Sequence, residues 1–546
     1  MTPRANGVQL SSSVRRRRSP HWYSLPDMKD KGLNALKLLG ESRLILLCFA
    51  ACAVSACGQQ EQATTEPAGE GAAAEMTRTE KVPVTTSSDE ARAWYDEGLA
   101  LADNLHFVDA AAAFTKAVEA DPGFAMAYLR LAQISQSAAA FFKAVGQAED
   151  NVANSSEGEQ LYIRALIAAA ENDQAAQLSA ISSLLGMYPK DERTHVQLAN
   201  YYNGQQNFAE AVKHFGHATS INPNFASAFN SLGYAHRSND DLDGAKAAFA
   251  RYVELIPDEA NPYDSYAELL MEMGEYDESI ENYRKATAID PHFPSAYAGV
   301  STNESLKGNA EAAQAAAAEM LAAARNDGEK QGAMFRAVAA HLFAGNNDAA
   351  LAVSEERYAM AEAAGNHSMM GGIRAYMGDI MLSSGDGAKA MEYYASALSH
   401  RQMAEVNDAA KAQAQRAYKF KTSIAAMVSG EIETAASRVA EYNAAAEAHG
   451  TAFEQRRIHE LNAYLAQMNE DSETAAAEFA QASQLEPTAL YWAAVNNRNL
   501  GHTEKAADLA NRAAYRNTLS PNLPFFRDEA IALLEELEAD QAVSIL

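Results

Sequence analysis

A proline recurs at one fixed interval through the middle of the chain. Pro189, Pro223, Pro257 and Pro291 are each separated by 34 residues. Proline lacks the amide hydrogen that a helix interior needs and its ring clashes with the preceding turn, so each of these prolines is predicted to end a helix. Such an interval is typical of arrays built from one repeated unit. The chain, at 546 residues, is also far longer than the roughly 150 residues of one compact domain.

The residues between these prolines repeat as well. Ala211, Phe215 and Ala218 are spaced by four and three positions and therefore share one face of a helix. The following units carry a small or aromatic residue at each equivalent position, namely Ala245, Phe249 and Tyr252, then Ser279, Tyr283 and Ala286. Each unit also has a small residue about sixteen positions before its aromatic residue, which we expect to lie where two helices cross at about 8 Å. These small residues are Gly98, Ala199 and Gly233.

The unit nearest the N-terminus carries the fullest version of this pattern. Its residues are Trp94, Gly98, Leu101, Ala110, Phe114, Ala117 and Pro122. This W-x3-G, A-x3-F-x2-A, P pattern resembles the tetratricopeptide-repeat family. The resemblance implies an all-α fold, an α-solenoid (superhelix) of tetratricopeptide-like helical hairpins, because stacked hairpins bury apolar faces that no hairpin hides alone. We expect roughly twelve hairpins, some of them degenerate.

The chain is divided into five regions by composition and by the strength of the repeats. The alanine-rich stretch from Ala310 to Arg325 is expected to pack loosely or to mark a bend between two arrays. The predicted regions are a signal segment with a lipobox at 1–57, a flexible tether at 58–90, an N-terminal tetratricopeptide-repeat array at 91–325, a degenerate C-terminal array at 326–520, and a capping helix with a tail at 521–546.

The signal segment is predicted from a charged stretch followed by the apolar run LILLCFAACAV, from Leu44 to Val54. The run is too short to span a bilayer stably. The residues from Val54 to Gly58 read VSACG and resemble the bacterial lipobox, which implies that Cys57 is lipidated and anchors the protein. The family's inner-membrane retention residue, Asp directly after the cysteine, is replaced by Gly58, so the resemblance implies the outer membrane, facing the periplasm.

Alternatives to this interpretation of the N-terminus remain. An ordinary signal peptide or an anchoring helix with an incidental cysteine would have the same apolar run. Translation is expected to start at Met28, which leaves a signal of more usual length. A twin-arginine export signal at Arg15–Arg18 is disfavoured because the apolar residues follow only after Met28. All three cysteines lie within the signal segment, so neither a disulfide nor a cysteine metal site is expected downstream.

The charge of the chain limits its partners. The formal net charge is −28 at pH 7, and such a field repels polyphosphate backbones. Nucleic-acid binding is therefore not expected, whereas basic protein or peptide partners are favoured. The stretch 58–90 is rich in Gln, Glu, Thr, Ala and Pro, a composition typical of a flexible tether.

Two motifs suggest metal chemistry only weakly. His214 and His217 have a spacing found in metal sites, but they flank core positions and are expected to face solvent. The stretch from Asn239 to Gly244 imitates the start of a calcium loop, yet its twelfth position is Ala250 instead of Glu, and Asp243 is expected to cap a helix. With no hydrolase, phosphate-loop or dinucleotide motif present, we expect no enzyme activity, cofactor or metal. A degenerate hydrolase or metal-dependent enzyme is the weakest alternative.

Function is expected on the inner surface of the solenoid, which in this family is lined by the first helix of each hairpin. The non-core residues at those positions suit the capture of an extended peptide, because amides both donate and accept hydrogen bonds. The candidate groove residues are Arg193, Gln197, Asn200, Asn203, Asn230, Tyr234 and Arg237. The predicted function is a membrane-tethered adaptor or scaffold for protein–protein interactions in the bacterial cell envelope. The alternative is an accessory lipoprotein of an export or envelope-assembly machine for pili, polysaccharide or outer-membrane components.

Overall fold

The computed structural model describes residues 80–135, 138–171, 173–406, 408–515 and 520–545. These residues form α-helices and one short 3-10 turn, Val152–Asn154, and contain no β-strand. The helices are α1 Asp89–Asp103, α2 Phe107–Ala120, α3 Ala125–Gln133, α4 Ala138–Asn151, α5 Glu157–Ala170, α6 Gln174–Met187, α7 Glu192–Gly204, α8 Phe208–Ile221, α9 Ala226–Ser238, α10 Leu242–Leu255, α11 Ala260–Glu272, α12 Tyr276–Ile289, α13 Pro294–Leu306, α14 Ala310–Ala323, α15 Asp327–Phe343, α16 Asn347–Ala363, α17 His367–Ser383, α18 Gly387–Met403, α19 Asp408–Val428, α20 Ile432–His449, α21 Ala452–Met468, α22 Ser472–Phe479, α23 Pro487–Asn499, α24 Thr503–Tyr515 and α25 Leu523–Ile545.

Consecutive helices pair into hairpins, and the hairpins stack in chain order. Helices α1 to α24 form twelve such pairs, and each pair packs against the next. First helices of successive hairpins also contact each other directly. Examples are the contacts of α3 with α5, of α9 with α11, and of α11 with α13. Within the described ranges, second helices share no comparable contact, so the first helices lie on the inner side of the curve. The predicted all-α solenoid is confirmed.

The periodic prolines end helices as predicted. Helices α6, α8, α10 and α12 end two residues before Pro189, Pro223, Pro257 and Pro291 respectively. The next first helix starts within a few residues of each proline. The 34-residue interval therefore measures one hairpin and its two turns.

Glycine and aromatic residues set the distance between paired helices. A Cβ atom added to Gly98 would lie 2.6 Å from the ring of Phe114, and one added to Gly233 would lie 2.6 Å from the ring of Phe249. Both rings are fully buried. No larger residue fits at these two crossings without moving the ring, which confirms the role expected for the small residues.

The N-terminal array winds tightly enough to bring distant hairpins together. The turn after α1 reaches the first helix of the fourth hairpin, where Arg193 donates to both carboxylate oxygens of Asp103 at 2.9 and 2.6 Å. The same turn reaches the start of α11, where His106 Nε2 lies 3.0 Å from Glu259 Oε2. Because the pairs are far apart in sequence, the curvature of the array creates these contacts.

The alanine-rich helix α14 is packed into the array, with Ala313, Ala316 and Ala317 buried. It contacts α13 before it and α15 after it, so the loose packing considered above is not seen. From α15 onward the helices lengthen to 17 residues or more through α21.

The last helix does more than cover the end of the solenoid. Helix α25 packs on α23 and α24, as a capping helix would, but it also contacts α15. The chain just before it folds back as well, since the hydroxyl of Tyr376 donates to the carbonyl of Pro521 at 2.8 Å. Leu523 is buried among Met271 and Leu306, which belong to α11 and α13. The C-terminal array is therefore curled against the middle of the chain.

The segment before α1 is bound to the array, contrary to the expectation of a tether extending to residue 90. Residues 80–88 are non-helical, and Val82 donates its amide to Asp191 at 2.8 Å. The amide and hydroxyl of Thr85 donate to Glu159 at 2.7 and 2.6 Å, and Lys81 pairs with Glu192. We name residues 80–88 the docked segment. Its polar composition suggested a tether, but its partners are buried carboxylates more than 70 residues away.

The signal segment, Cys57 and residues 58–79 lie outside the described residues. Among the described helices, none combines the length and the apolar character required to span a bilayer.

Candidate functional site

The inner face of the N-terminal array carries polar side chains that join one first helix to the next. Arg130 on α3 donates to the hydroxyl of Tyr95 on α1 at 3.2 Å and to that of Tyr162 on α5 at 3.4 Å. Gln197 on α7 donates to the same Tyr162 hydroxyl at 3.2 Å. These residues form a hydrogen-bonded chain across four successive first helices.

A second polar group joins α9 to α11. The hydroxyl of Tyr234 lies 3.2 Å from the hydroxyl of Ser265 and 3.2 Å from a carboxylate oxygen of Glu268, to which it donates its one proton. Arg237, one turn further along α9, forms ion pairs with both Glu268 and Glu272. One guanidinium thus bridges two carboxylates, which holds these helices in a fixed relation.

Between these two groups lies an interruption that we name the asparagine gap, formed by Asn200 and Asn203 on α7 and Asn230 on α9. Within the described part of the chain, the side-chain amides of all three make no hydrogen bond. Asn200 is exposed and Asn203 is half-buried. The carbonyl oxygen of the Asn230 side chain is buried without a donor. The gap therefore offers donors and acceptors that neighbouring first helices do not use.

The inner face beside the gap is acidic. Asp264 lies one turn before Glu268 on α11, so the two share a helix face, and Glu272 follows one turn later. Burial, and then the charge of Glu268, raise the pKa of Asp264 to about 7. Arg237 pairs with Glu268 and Glu272, and within the described part of the chain no ion pair is formed by Asp264. A positive group placed here would favour the ionised form of Asp264.

The seven predicted groove residues thus divide into two sets. Arg193, Gln197, Tyr234 and Arg237 are engaged within the chain, while the three asparagines remain open. The acidic residues of α11 were missed by the sequence argument. Aligning the repeats by their 34-residue interval would have found them, because Asp264 and Glu268 occupy the positions of Asn230 and Tyr234.

The histidines of the fourth hairpin differ from expectation. His217 is exposed, as predicted, but His214 is only 8% exposed. It stacks on Tyr202 with ring centroids 5.8 Å apart, and its Nδ1 lies 3.3 Å from Nδ1 of His195 on α7. The prediction that both residues face solvent is therefore wrong for His214, because its side of α8 packs on α7. Burial lowers the pKa of both His195 and His214. No group of three or more metal-ligating side chains suited to an ion occurs among the described residues.

The calcium-like stretch forms the turn between α9 and α10. The capping residue is Asp241, whose carboxylate accepts from the amide of Gly244 at 2.9 Å. Asp243, which we expected to cap, lies in the first turn of α10. The acidic residue directly before the helix is better placed to accept from a free amide of the first turn.

Comparison with known families agrees with the fold of stacked helical hairpins. The profile described as "Tetratricopeptide repeat" matches residues 192–225 and 226–259, and the profile described as "TPR repeat" matches residues 267–299. The chain contains tetratricopeptide repeats. The matched residues include the asparagine gap and Glu268 and Glu272 of α11, whereas Asp264 lies between two matched segments.

Similar proteins share only part of the chain's length or identity. The Protein CTR9 homolog of Arabidopsis thaliana is 26% identical over 116 residues, which span 20% of this chain and 11% of that protein. The MamA protein is 23% identical with a TM-score of 0.28, covering 30% of this chain and 91% of its own. PilW, a widely conserved type IV pilus biogenesis factor, is 18% identical with a TM-score of 0.31, covering 38% of this chain and 92% of its own. The structure of the APC/C hetero-tetramer Cut9-Hcn1 is 13% identical with a TM-score of 0.37, covering 84% of this chain and 78% of its own.

Proposed function

We propose that this tetratricopeptide-repeat protein is a membrane-tethered scaffold that binds an extended, basic segment of a partner protein along the inner face of its N-terminal array. The asparagine gap is the observation that carries the proposal. Side-chain amides with free donors and acceptors suit an extended backbone, which presents both groups in alternation. Repeats in a solenoid also provide a continuous surface for such a segment.

Charge supports a basic partner. The gap lies beside three carboxylates and one arginine, in a chain of net charge −28. A Lys or Arg side chain of the partner would reach the unpaired charge near Asp264 and would also be drawn to the protein at long range. Polyphosphate ligands would be repelled by the same field.

The lipid anchor is proposed from the sequence VSACG that ends at Gly58. A lipid on Cys57 would hold the array at a membrane, and we propose the periplasmic side of the outer membrane. The docked segment begins at residue 80, which leaves residues 58–79 between the anchor and the array.

Metabolic labelling with a clickable fatty acid tests the anchor. Cys57→Ser is expected to abolish labelling, because Cys57 has the aliphatic residue Val54 three positions before it, as a lipobox requires, whereas Cys52 has Phe49 there. Cys52→Ser, within the same apolar run, is the matched control and is expected to keep the label. Retention of the label by Cys57→Ser would contradict the proposal.

An arginine introduced on each side of the array tests the inner face. Asn200→Arg adds a positive charge and bulk to the asparagine gap, and we expect partner affinity to fall at least about tenfold. Ser220→Arg places the same side chain on the exposed side of the second helix α8 and is expected to change affinity less than about twofold. Equal effects of the two substitutions would mean that the partner does not use the inner face.

A further inference from the structure

A cavity lies on the inner side of the C-terminal array, where the last helix folds back. Its walls come from the first helices α17, α19 and α21, from the turn before α23 and the start of α23, and from the start of α25. The residues that carry the following argument are Asp379, Phe420, Lys421, Phe453, Arg456, Arg457 and Glu460. The cavity is thus built from five helices, and it lies far along the chain from the asparagine gap.

An arginine is fixed between two aromatic rings in this cavity. The guanidinium carbon of Arg457 lies 4.4 Å from the ring centre of Phe420 and 4.5 Å from that of Phe453. Within the described residues, no carboxylate oxygen lies within 4.0 Å of Arg457. Because cation–π contacts hold the planar group without using its in-plane N–H donors, these donors remain for a ligand.

The cavity is lined by three acidic and three basic side chains, namely Asp379, Glu460 and Glu486, and Lys421, Arg456 and Arg457. Asp379 is already bound, since it accepts from Lys421 at 2.7 Å and from Tyr394 at 2.7 Å. Glu486 accepts a hydrogen bond from the side-chain amide of Asn522 at 3.3 Å. With these two carboxylates engaged, the N–H donors of Arg457 are left for the carboxylate of a ligand.

The size of the cavity limits the ligand. Its volume is about 190 Å³, and an engineered protein cavity of about 150 Å³ admits benzene. One aromatic ring with a short substituent therefore fits, whereas drug-sized ligands occupy roughly 300–1,000 Å³. Phe420, Phe453, Phe525 and Phe526 provide apolar contacts for such a ring.

Glu460 makes the charge of the site depend on pH. It faces Lys421 of α19, Arg457 and Tyr464 of its own helix, and Glu486 before α23. Burial, opposed by Arg457 and reinforced by Glu486, raises the pKa of Glu460 to about 7. Below pH 7 the carboxyl group becomes neutral, and the cavity becomes more positive.

We infer that this cavity binds an aromatic carboxylate, with its ring among the phenylalanines and its carboxylate on Arg457. The planar guanidinium fork matches a carboxylate in bidentate geometry. The inference concerns a separate site from the asparagine gap and does not depend on the membrane anchor or on the proposed partner. The carboxylate comes either from a free small molecule or from a partner chain that ends in an aromatic residue.

Fluorine NMR of 4-fluorophenylacetate with the full chain tests the inference. We expect saturable binding with a Kd on the order of 1 mM, as suits about ten non-hydrogen atoms. Acetate, which lacks the ring, and 4-fluorobenzyl alcohol, which lacks the charge, are each expected to bind at least about tenfold more weakly. Binding should be tighter at pH 6 than at pH 8, because Glu460 is neutral at the lower pH.

Substitutions locate the site. Arg457→Gln is expected to weaken binding at least about tenfold, and Arg457→Lys, which keeps the charge but loses the fork, to weaken it less. Arg498→Gln is the matched control, because Arg498 lies outside the cavity and its partly exposed side chain pairs with Glu536. Equal affinity of Arg457→Gln and the unaltered chain would overturn the inference, as would equal binding of the uncharged alcohol or no saturation at all. A loss of binding in Arg457→Gln supports the inference only if this variant melts at the same temperature as Arg498→Gln. If the two melting temperatures differ, the affinity of Arg457→Lys relative to the unaltered chain decides whether the inference holds.

Competition distinguishes the two sources of the carboxylate. A peptide that ends in Phe with a free carboxylate would displace the fluorinated probe if the ligand is a chain terminus, and the same peptide as its amide would not. If neither peptide competes while the free probe binds, the ligand is a small aryl carboxylate. If phenyl phosphate binds more than about tenfold more tightly than phenylacetate, the site is a phosphate site and the inference is wrong.

Discussion

The packing of helix pairs through glycine is tested by adding one methyl group at each of two positions. Gly233→Ala, on α9, would place a Cβ 2.6 Å from the buried ring of Phe249. Gly216→Ala, on the next helix toward the N-terminus, would place a Cβ with nothing within 4 Å. Both substitutions gain about 1 kcal/mol of helix propensity. Only Gly233→Ala also has the cost of overpacking, about 1–3 kcal/mol.

The two variants are therefore expected to change stability in opposite directions. Because three ring atoms lie within 2.8 Å of the added Cβ, we take the upper part of the overpacking range and expect Gly233→Ala to destabilise by about 1–2 kcal/mol. Gly216→Ala should stabilise by about 1 kcal/mol. Urea unfolding followed by circular dichroism measures both. Phe249→Leu should cost less in the Gly233→Ala background than alone. Equal midpoints for the two alanine variants would refute the reasoning.

Three further substitutions test the docked segment and the titrating groups. Glu159→Gln removes the carboxylate that accepts two hydrogen bonds from Thr85 and should release the docked segment, so trypsin should cut after Lys81 faster. An unchanged rate of cutting would show that the hydrogen bonds to Glu159 do not hold the docked segment in place. His214→Gln should reduce the loss of stability on acidification. Because burial lowers the pKa of His214, the contribution of this residue to stability is present above the unfolded pKa of about 6.5 and is lost as pH falls. Thermal melts at pH 5 and pH 7.5 measure this loss. A difference in melting temperature between the two pH values that equals that of the unaltered chain would count against the prediction. Asp264→Asn should stabilise by about 1–2 kcal/mol at pH 8, a value discounted for partial exposure, and by little at pH 4. The raised pKa of Asp264 means that its stabilising contribution is present below pH 4 and is lost as pH rises through about 7; a stabilisation equal at both pH values would contradict this sign.

Local pattern predicted the hairpins because each hairpin is defined by short-range features. Pro223 ends a helix wherever the chain goes next, and Gly233 faces Phe249 within one hairpin. The packing of paired helices imposes the same demand in the C-terminal array, where a Cβ atom added to Gly378 would meet the ring of Tyr394.

Contacts that depend on the accumulated curvature were not predicted. Each repeat adds a small rotation, and only the sum brings Asp103 to Arg193 or Leu523 to Met271. The docked segment was misjudged for the same reason, because its polar residues bind carboxylates such as Glu159 in a distant hairpin. His214 was assigned to solvent from its own helix alone, whereas its partner His195 lies on the preceding helix. The cavity beside Arg457 likewise depends on how five helices are placed in space.

Site-specific photo-crosslinking in native membranes tests the proposed use of the inner face most directly. A photoreactive amino acid at Asn200 is expected to give a crosslinked adduct with one reproducible protein, joined at an extended, basic segment identified by mass spectrometry. The same amino acid at Ser220, on the opposite side of the hairpin, is expected to give no adduct with that protein. Adducts from Ser220 and none from Asn200 would contradict binding by the inner face.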